Sequence, residues 1–397
     1  MAQPAQQFFH MCRTCRQSLH GASWPKSVRS FTSTPTKRKV IPSFSPTSNP
    51  EFDELLLAWR NKVFTPAAVE SHHRDLMYKT SQQATLVNEP GVTVTMDDGE
   101  EIKLEPRHAF DKPNMRKSLK QLARLLDGNQ SDTYWSNLLP FLRGLVSAQL
   151  KLPGVFASKL TRKACEVGKE HIIISAVAKP KDTGISLRQH DVARELMLGL
   201  HSHAVLAGFE GPELETISRR AEHVARMLED QLHTGDKLRH GECDARTDPV
   251  VLAVLLELAA ERALHRHDGT DKDGQVASYA TRLLHLEGRK QNSDIESLSA
   301  HEQNHALVQS IPIQNSIKWA LKVDSVKNSQ LENQLNTELR GLTKIVDSLA
   351  RNVRAALGDK PRRGLEMYDQ LNGKATDAAR PIPSASPAEV GKEEEQP

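Results

Sequence analysis

The residues whose types and spacing best suit chemistry are His301-Glu302-Gln303-Asn304-His305, an H-E-x-x-H pattern. On a helix, imidazoles four positions apart point the same way and can hold Zn²⁺ while the glutamate activates a bound water. Leu298, His301, His305 and Val308 would share one helical face. The rest of a peptidase site is missing. Polar Gln303 and Asn304 stand where metallopeptidases carry apolar residues, and Ile311 stands where the metzincin extension places its third histidine. The distant acid Glu332 closes a Ser329-Gln-Leu-Glu capping-box pattern, which gives it an ordinary role. The chain holds 17 histidines, so one pair at this spacing has little weight. Zinc catalysis, with His301 and His305 as ligands and Glu302 as base, is therefore the third reading. No enzyme, metal or cofactor is expected.

Other reactive groups offer less. There is no phosphate-binding P-loop, no G-x-G-x-x-G and no G-x-S-x-G. His201 and His203 are two apart, which on a helix turns them about 200° from each other and prevents joint chelation. His72-His73 has no neighbouring ligand set, and Lys179-Pro-Lys-Asp-Thr-Gly184 reads as a surface turn. Cys12 and Cys15 form a single C-x-x-C, whereas zinc sites of this type need a second pair. Cys165 and Cys243, with no disulfide framework around them, suit a reducing compartment.

Charge is more informative. Residues 114–169 hold ten basic side chains against Asp127, Asp132 and Glu166, a net +7. Arg116, Lys120 and Arg124, with Lys117 beside them, form a stripe opposite Met115, Leu119, Leu122 and Leu126. Lys159, Arg162 and Lys163 extend the positive region, and Trp135, with Tyr134 beside it, could stack on unpaired bases. Clustered positive charge creates a local field for phosphate that net charge conceals. The competing reading is a solvated helix face with both aromatics in the core.

These residues need elements to position them, and the elements read as helices. The most apolar runs from Pro249 to Leu264, with Asp248 as N-cap and Pro249 at the first helical position. More than half its circumference is apolar, which predicts burial among other helices. Glu257, Glu261 and Arg262 interrupt it, so it is no membrane span. Periodicity predicts further helices along 115–126, 132–146, 153–164, 186–206, 212–232 and 276–286, with Pro140 kinking or dividing its segment. Ile172-Ile-Ile-Ser175 is ambiguous and favours helix by context. Val92–Met96 and Glu101–Leu104 alternate in polarity around Asp97-Asp-Gly-Glu100, which predicts one β-hairpin. Leu335, Leu339, Leu342, Val346, Leu349, Val353 and Ala356 form an a/d seam. It suits coiled-coil self-association through 335–356 and docking on the core equally well.

The first acidic residue is Glu51, and the stretch before it carries seven Arg and Lys among many Ser and Thr. That is the composition of a mitochondrial transit peptide. Arg29-Ser-Phe-Thr-Ser-Thr34 also resembles the processing sites of fungal mitochondrial precursors. The whole chain carries 53 basic and 50 acidic residues, so without that stretch the balance is −4. The expected division is a transit peptide (1–39), a linker (40–50) and an N-terminal segment with the hairpin (51–112). An α-helical core (113–287), a C-terminal helical segment (288–373) and a disordered tail (374–397) follow.

Helices of 12–20 residues with short Gly/Pro turns over 115–287, together with the leader, resemble the divergent TPR- and PPR-type helical-hairpin proteins of fungal mitochondria. No fixed 34–35-residue period supports this; Leu198-Gly199, for example, could mimic the Leu-Gly of a tetratricopeptide repeat, but Gly211 then falls where an Ala belongs. The expected fold is mainly α, an irregular solenoid-like array of helical hairpins with one small β-hairpin near the N-terminus. The expected function is a non-catalytic mitochondrial matrix scaffold in gene expression, contacting RNA or the ribosome through 114–169. The alternative is a scaffold for respiratory-complex assembly or another protein partner held by the helical array.

Overall fold

The computed structural model describes residues 40–88, 90–209, 211–234, 244–286, 297–327, 329–358 and 361–372. The stretches read as leader and tail lie outside the described residues, as do Cys12, Cys15 and Cys243. Asn49 caps α1 (Pro50–Trp59), its side chain accepting from Glu51 N at 2.9 Å. Pro66 does not end this segment. The chain widens into a π-turn over Arg60–Phe64 and continues as α2 (Thr65–Ala68). A proline ring clashes with the carbonyl four residues back, and the wider turn relieves that clash. Two short helices that the sequence pattern left unassigned follow, α3 (Ser71–Tyr78) and α4 (Thr80–Val87).

The predicted hairpin is present. β1 (Thr93–Thr95) pairs antiparallel with β2 (Glu101–Lys103), with Val94 opposite Ile102. Gly99 takes a positive φ of 86° in the turn, where a side chain would be strained. Then come α5 (Met115–Leu125), α6 (Asp132–Ser136) and α7 (Leu138–Ser147). The division between the last two falls at Asn137 rather than at Pro140. Pro140 sits in the first turn of α7, where its missing N–H leaves no helical bond unmade.

The remaining elements are all helical. They are α8 (Gly154–Glu166), α9 (Glu170–Val177), α10 (Pro180–Thr183), α11 (His190–Leu206), α12 (Gly211–Leu228) and α13 (Gln231–Thr234). After them come α14 (Pro249–Arg266), α15 (Gln275–Leu284), α16 (Ala300–Ala320), α17 (Gln330–Leu357) and α18 (Arg363–Leu371). Ile172–Ser175 is thus helical, within α9. The supposed surface turn at 179–184 contains α10, whose Thr183 hydroxyl is buried and donates to Ala176 O at 2.7 Å. α11 begins at His190 rather than Ser186, because the preceding loop is pinned: Leu187 N donates to His233 Nδ1 at 3.3 Å.

α14 is the hub. Asp248 caps it, accepting from Val250 N at 2.7 Å and Val251 N at 3.4 Å. Its apolar girdle is explained by three separate apolar clusters that meet around it. Val254, Leu255 and Leu258 face the cluster formed with the N-terminal half. Leu252, Leu256 and Ala260 face Ile313, Ile317 and Leu335, while Val250 joins Leu307, Ile311 and Leu349. α11 and α16 pack directly on α14, and α8 packs on the far side of α11. α8 and α11 approach so closely that a Cβ at Gly199 would stand 2.4 Å from Cys165 Sγ.

The seam on α17 is spent inside the chain. Leu335, Val346, Leu349 and Val353 are buried against α16 and its neighbours, Leu339 is partly buried, and Ala356 is exposed. Self-association through 335–356 would require the face already covered by α16, so the docked alternative is the one the structure shows. The capping box expected at Ser329–Glu332 is also replaced, since Ser329 Oγ donates to Val326 O. Among the described residues no helix is long and apolar enough to cross a membrane.

Candidate functional site

The H-E-x-x-H lies at the start of α16, and the structure gives its glutamate a different duty. Glu302 Oε2 accepts from Ser299 N at 2.9 Å and Ser299 Oγ at 2.7 Å, while Glu302 N reaches back to the same hydroxyl. This is a capping box, and the Ser299 bonds hold the carboxyl below its ordinary pKa. A carboxylate held at a helix N-terminus is poorly placed to take a proton from a metal-bound water. His301 and His305 are both exposed, and His305 Nε2 lies 2.8 Å from Gln309 Nε2. Neither belongs to a cluster of three metal-ligating side chains; among the described residues the one such cluster is Glu70, His72 and His73. The zinc reading therefore lacks both its base and its third ligand.

The basic region is built on α5. Asn114 caps the helix, its side chain accepting from Lys117 N at 3.0 Å. Leu119, Leu122 and Leu126 are buried and dock the helix, with Met115 partly buried at the same face. Arg116, Lys117, Lys120 and Arg124 are all exposed. The amphipathic reading of this helix holds.

Side-chain pairing then divides the positive residues. Arg124 bonds Glu51 on α1, which Gln121 also reaches at 2.8 Å. Arg162 lies 3.6 Å from Glu166. Lys163 is buried and paired with Asp127, tying α8 to the end of α5, and Lys169 pairs with Asp132 at 2.5 Å. Lys163 is thus a structural residue, withdrawn from any surface. Arg116, Lys117, Lys120, Arg143, Lys151 and Lys159 are exposed with no carboxylate partner among the described residues. Arg162 and Glu166 are four apart on one helix, a pairing the spacing allows; the acids that take Arg124, Lys163 and Lys169 lie 36 to 73 residues away, and sequence spacing could not reveal them.

Both proposed stacking aromatics are core. Trp135 is 0% exposed, with its indole N–H donating to Asn129 O at 2.7 Å. Tyr134 is buried against Phe52, ring centroids 5.0 Å apart, and its hydroxyl lies 3.0 Å from Ser48 Oγ. An indole of this size with its one donor satisfied inside is better buried than exposed. The exposed aromatic that sequence reasoning passed over is Phe110, 99% exposed in the 3₁₀ turn Ala109–Asp111 just before α5.

Buried polar groups concentrate around α14 instead. His201 Nδ1 lies 2.6 Å from Glu257 Oε2, and Asn315 Nδ2 donates to Glu257 Oε1. One turn on, Glu261 is also fully buried. His265 Nε2 is 3.1 Å from its Oε2, but without the alignment of a hydrogen bond, so neither oxygen is satisfied. Burial, reinforced by the Glu257 charge, pushes Glu261 up to about 8. Near α9, burial works against ionising Glu170, but the His203 hydrogen bond and the His203 and Arg220 charges prevail and hold it at about 2. These groups are enclosed by helices. A cleft of about 310 Å³ beside α14 mixes Glu222 and Glu229 with Arg226, Arg246 and Arg282, a balance of charge that selects no ligand.

What the described residues offer at the surface is a cationic face on α5, with Arg116, Lys117 and Lys120 exposed. Comparison with known proteins gives the family. Residues 29–370 match the family of mitochondrial ribosomal protein mS27. The chain is also similar to the small ribosomal subunit protein mS27 of Neurospora crassa, 28% identical over 260 residues, covering 64% of this chain and 65% of that protein. It therefore spans 65% of the length of the curated relative it matches. With the family match running over most of its length, the chain belongs to the mitochondrial ribosomal protein mS27 family.

Proposed function

We propose that this protein is a non-catalytic component of the small subunit of the mitochondrial ribosome, and that α5 contributes an RNA-facing surface. Family membership makes it a mitochondrial, ribosome-associated protein and not an enzyme. The observation that carries the RNA contact is the exposed, unpaired trio Arg116, Lys117 and Lys120 on a helix whose other face is docked. Lys159, one α-helical turn before the buried Lys163 on α8, supports the same surface. The hairpin-stacking kinship with TPR and PPR proteins belongs to this reading too, supported by the pairing of α11 with α12 across a glycine turn. The respiratory-assembly alternative has no observation in its favour.

Binding of purified protein to a single-stranded RNA, measured across salt, tests the reading. Each phosphate contact contributes roughly −0.7 to the slope of log K against log salt. Replacing Arg116, Lys117 and Lys120 with Gln should flatten the slope by about two if all three touch phosphate. Unchanged affinity and slope in that variant would remove the α5 contact, leaving a ribosomal protein held by other surfaces.

A further inference from the structure

We infer that the groove at the head of α5 is a binding site for one unpaired nucleotide, its base lying against Tyr78 and its phosphate between Arg74 and Lys112. This rests on the RNA reading above and extends it from phosphate contact to recognition of an unstacked base. The groove has a volume of about 240 Å³ and lies between α1, α3, the end of α7 and the segment leading into α5. Its floor is apolar, with Trp59, Val63 and Met115, and its only charged lining residues are Arg74 and Lys112. Pockets for drug-sized ligands have volumes of roughly 300–1,000 Å³. A groove below that range suits one flat ring system rather than a stacked pair.

Four observations point to a nucleotide. The first is charge, because two cations without a carboxylate in the lining favour an anionic group. The second is the Tyr78 ring, half-buried in the groove wall with Lys112 Nζ over it, 5.9 Å from its centroid, a flat ring held next to a positive charge. Bases stack on such faces whatever their identity. The third is Trp59, a lining residue only 1% exposed whose buried indole N–H has no partner among the described residues. An unsatisfied buried donor is costly, and ring nitrogens and carbonyls of a base are acceptors that would relieve it. The fourth is continuity: Met115 lines the groove, and Arg116 and Lys117 follow it on the cationic helix.

The walls are built rather than incidental. Arg107 N donates to Met77 O at 2.8 Å. Gln83 Nε2 reaches both Met77 O at 2.8 Å and Arg107 O at 3.1 Å. The chain before α5 is thereby tied to the end of α3, which sets Tyr78 opposite Lys112. Arg74 Nη2 donates to Val69 O at 3.3 Å, leaving other donors on its guanidinium for a phosphate.

The test uses the full chain and two probes, a single-stranded RNA carrying 2-aminopurine and a fully paired RNA duplex. Tyr78→Leu keeps apolar bulk while removing the ring; Arg74→Gln with Lys112→Gln removes the charges and, of the contacts described, gives up the Arg74 bond to Val69 O and the Lys112 contact with the Tyr78 ring. Each variant should weaken the single strand by about 5- to 100-fold, with duplex affinity and Tm unchanged, and 2-aminopurine quenching should be lost in Tyr78→Leu. Parental single-strand affinity and quenching in both variants overturn the site. So does loss of incorporation into the small subunit with RNA affinity intact, which would identify a protein occupant. The Arg116/Lys117/Lys120 variant separates the two ideas. If it lowers affinity while the groove variants do not, the groove fails and the α5 contact stands. If only the groove variants act, the α5 reading fails and the groove stands.

Discussion

Glu261→Gln is the substitution whose effect can be worked furthest from the structure. Glu261 is fully buried on α14 with neither oxygen hydrogen-bonded, and Glu257, His265 and Lys322 are the titratable groups around it. Burial raises its pKa from the ordinary 4.5 to about 8. In the unfolded chain the carboxyl loses its proton near 4.5, so between there and pH 8 the native state binds more protons than the unfolded state. Stability must then fall as pH rises through that window, by up to about 1.4 kcal/mol per pH unit. Over the full interval to about 8 the loss approaches about 5 kcal/mol, an upper value because relaxation around the charge reduces it. Glutamine does not titrate. Urea unfolding of both proteins from pH 5 to pH 8 should show the variant gaining several kcal/mol on the parent as pH rises. A gap that stays constant across that range would refute the reasoning, because it would mean that Glu261 keeps its ordinary pKa.

Other substitutions check the architecture. Leu256→Ala, at a side chain 0% exposed between α14 and α16, should cost about 2–5 kcal/mol in chemical denaturation. Trp135→Ala should cost about 3–5 kcal/mol while leaving the salt slope of RNA binding at its parental value; a normal Tm with weakened RNA binding would put the indole back on the surface. Gly199→Ala forces a methyl to within 2.4 Å of Cys165 Sγ and should destabilise by about 1–3 kcal/mol. Cys165→Gly combined with it removes both the Cβ and the Sγ that the new methyl meets and should recover part of that loss.

What could be read in the sequence was what short-range chemistry decides. The Asp248-Pro249 start of α14, its apolar girdle, the hairpin around Gly99 and the two faces of α5 all depend on neighbours within a few positions. What could not be read depends on partners far along the chain. Trp135 and Phe110 are both aromatic and each stands among polar residues, yet one is enclosed and the other bare. Lys163 and Lys120 look alike until Asp127 takes one of them. The pattern S-x-x-E occurs at Ser299 and at Ser329, and only the first forms the box. That choice also decides the fate of the H-E-x-x-H, because its glutamate is the capping residue. α3 and α4 escaped notice because each is short and has little apolar periodicity.

The closing helix α18 has a consequence for the order in which the chain can mature. Arg363 reaches Glu195 across 168 positions, and Gly364 lies so near α16 that a Cβ would stand 2.8 Å from Asn304 O. Leu365 and Met367 complete the cluster that includes Leu198, Val250, Leu307 and Ile311. A polypeptide delivered from its N-terminus therefore reaches α11 and α14 long before the side chains that shield them. Contacts this distant form slowly, and uncovered apolar faces attract other chains in the meantime. A chaperone that holds the middle of the chain until residue 367 arrives would shorten that exposure. A nascent chain stopping after α17 would leave Leu307 and Ile311 short of their last neighbours, a surface that quality control can recognise.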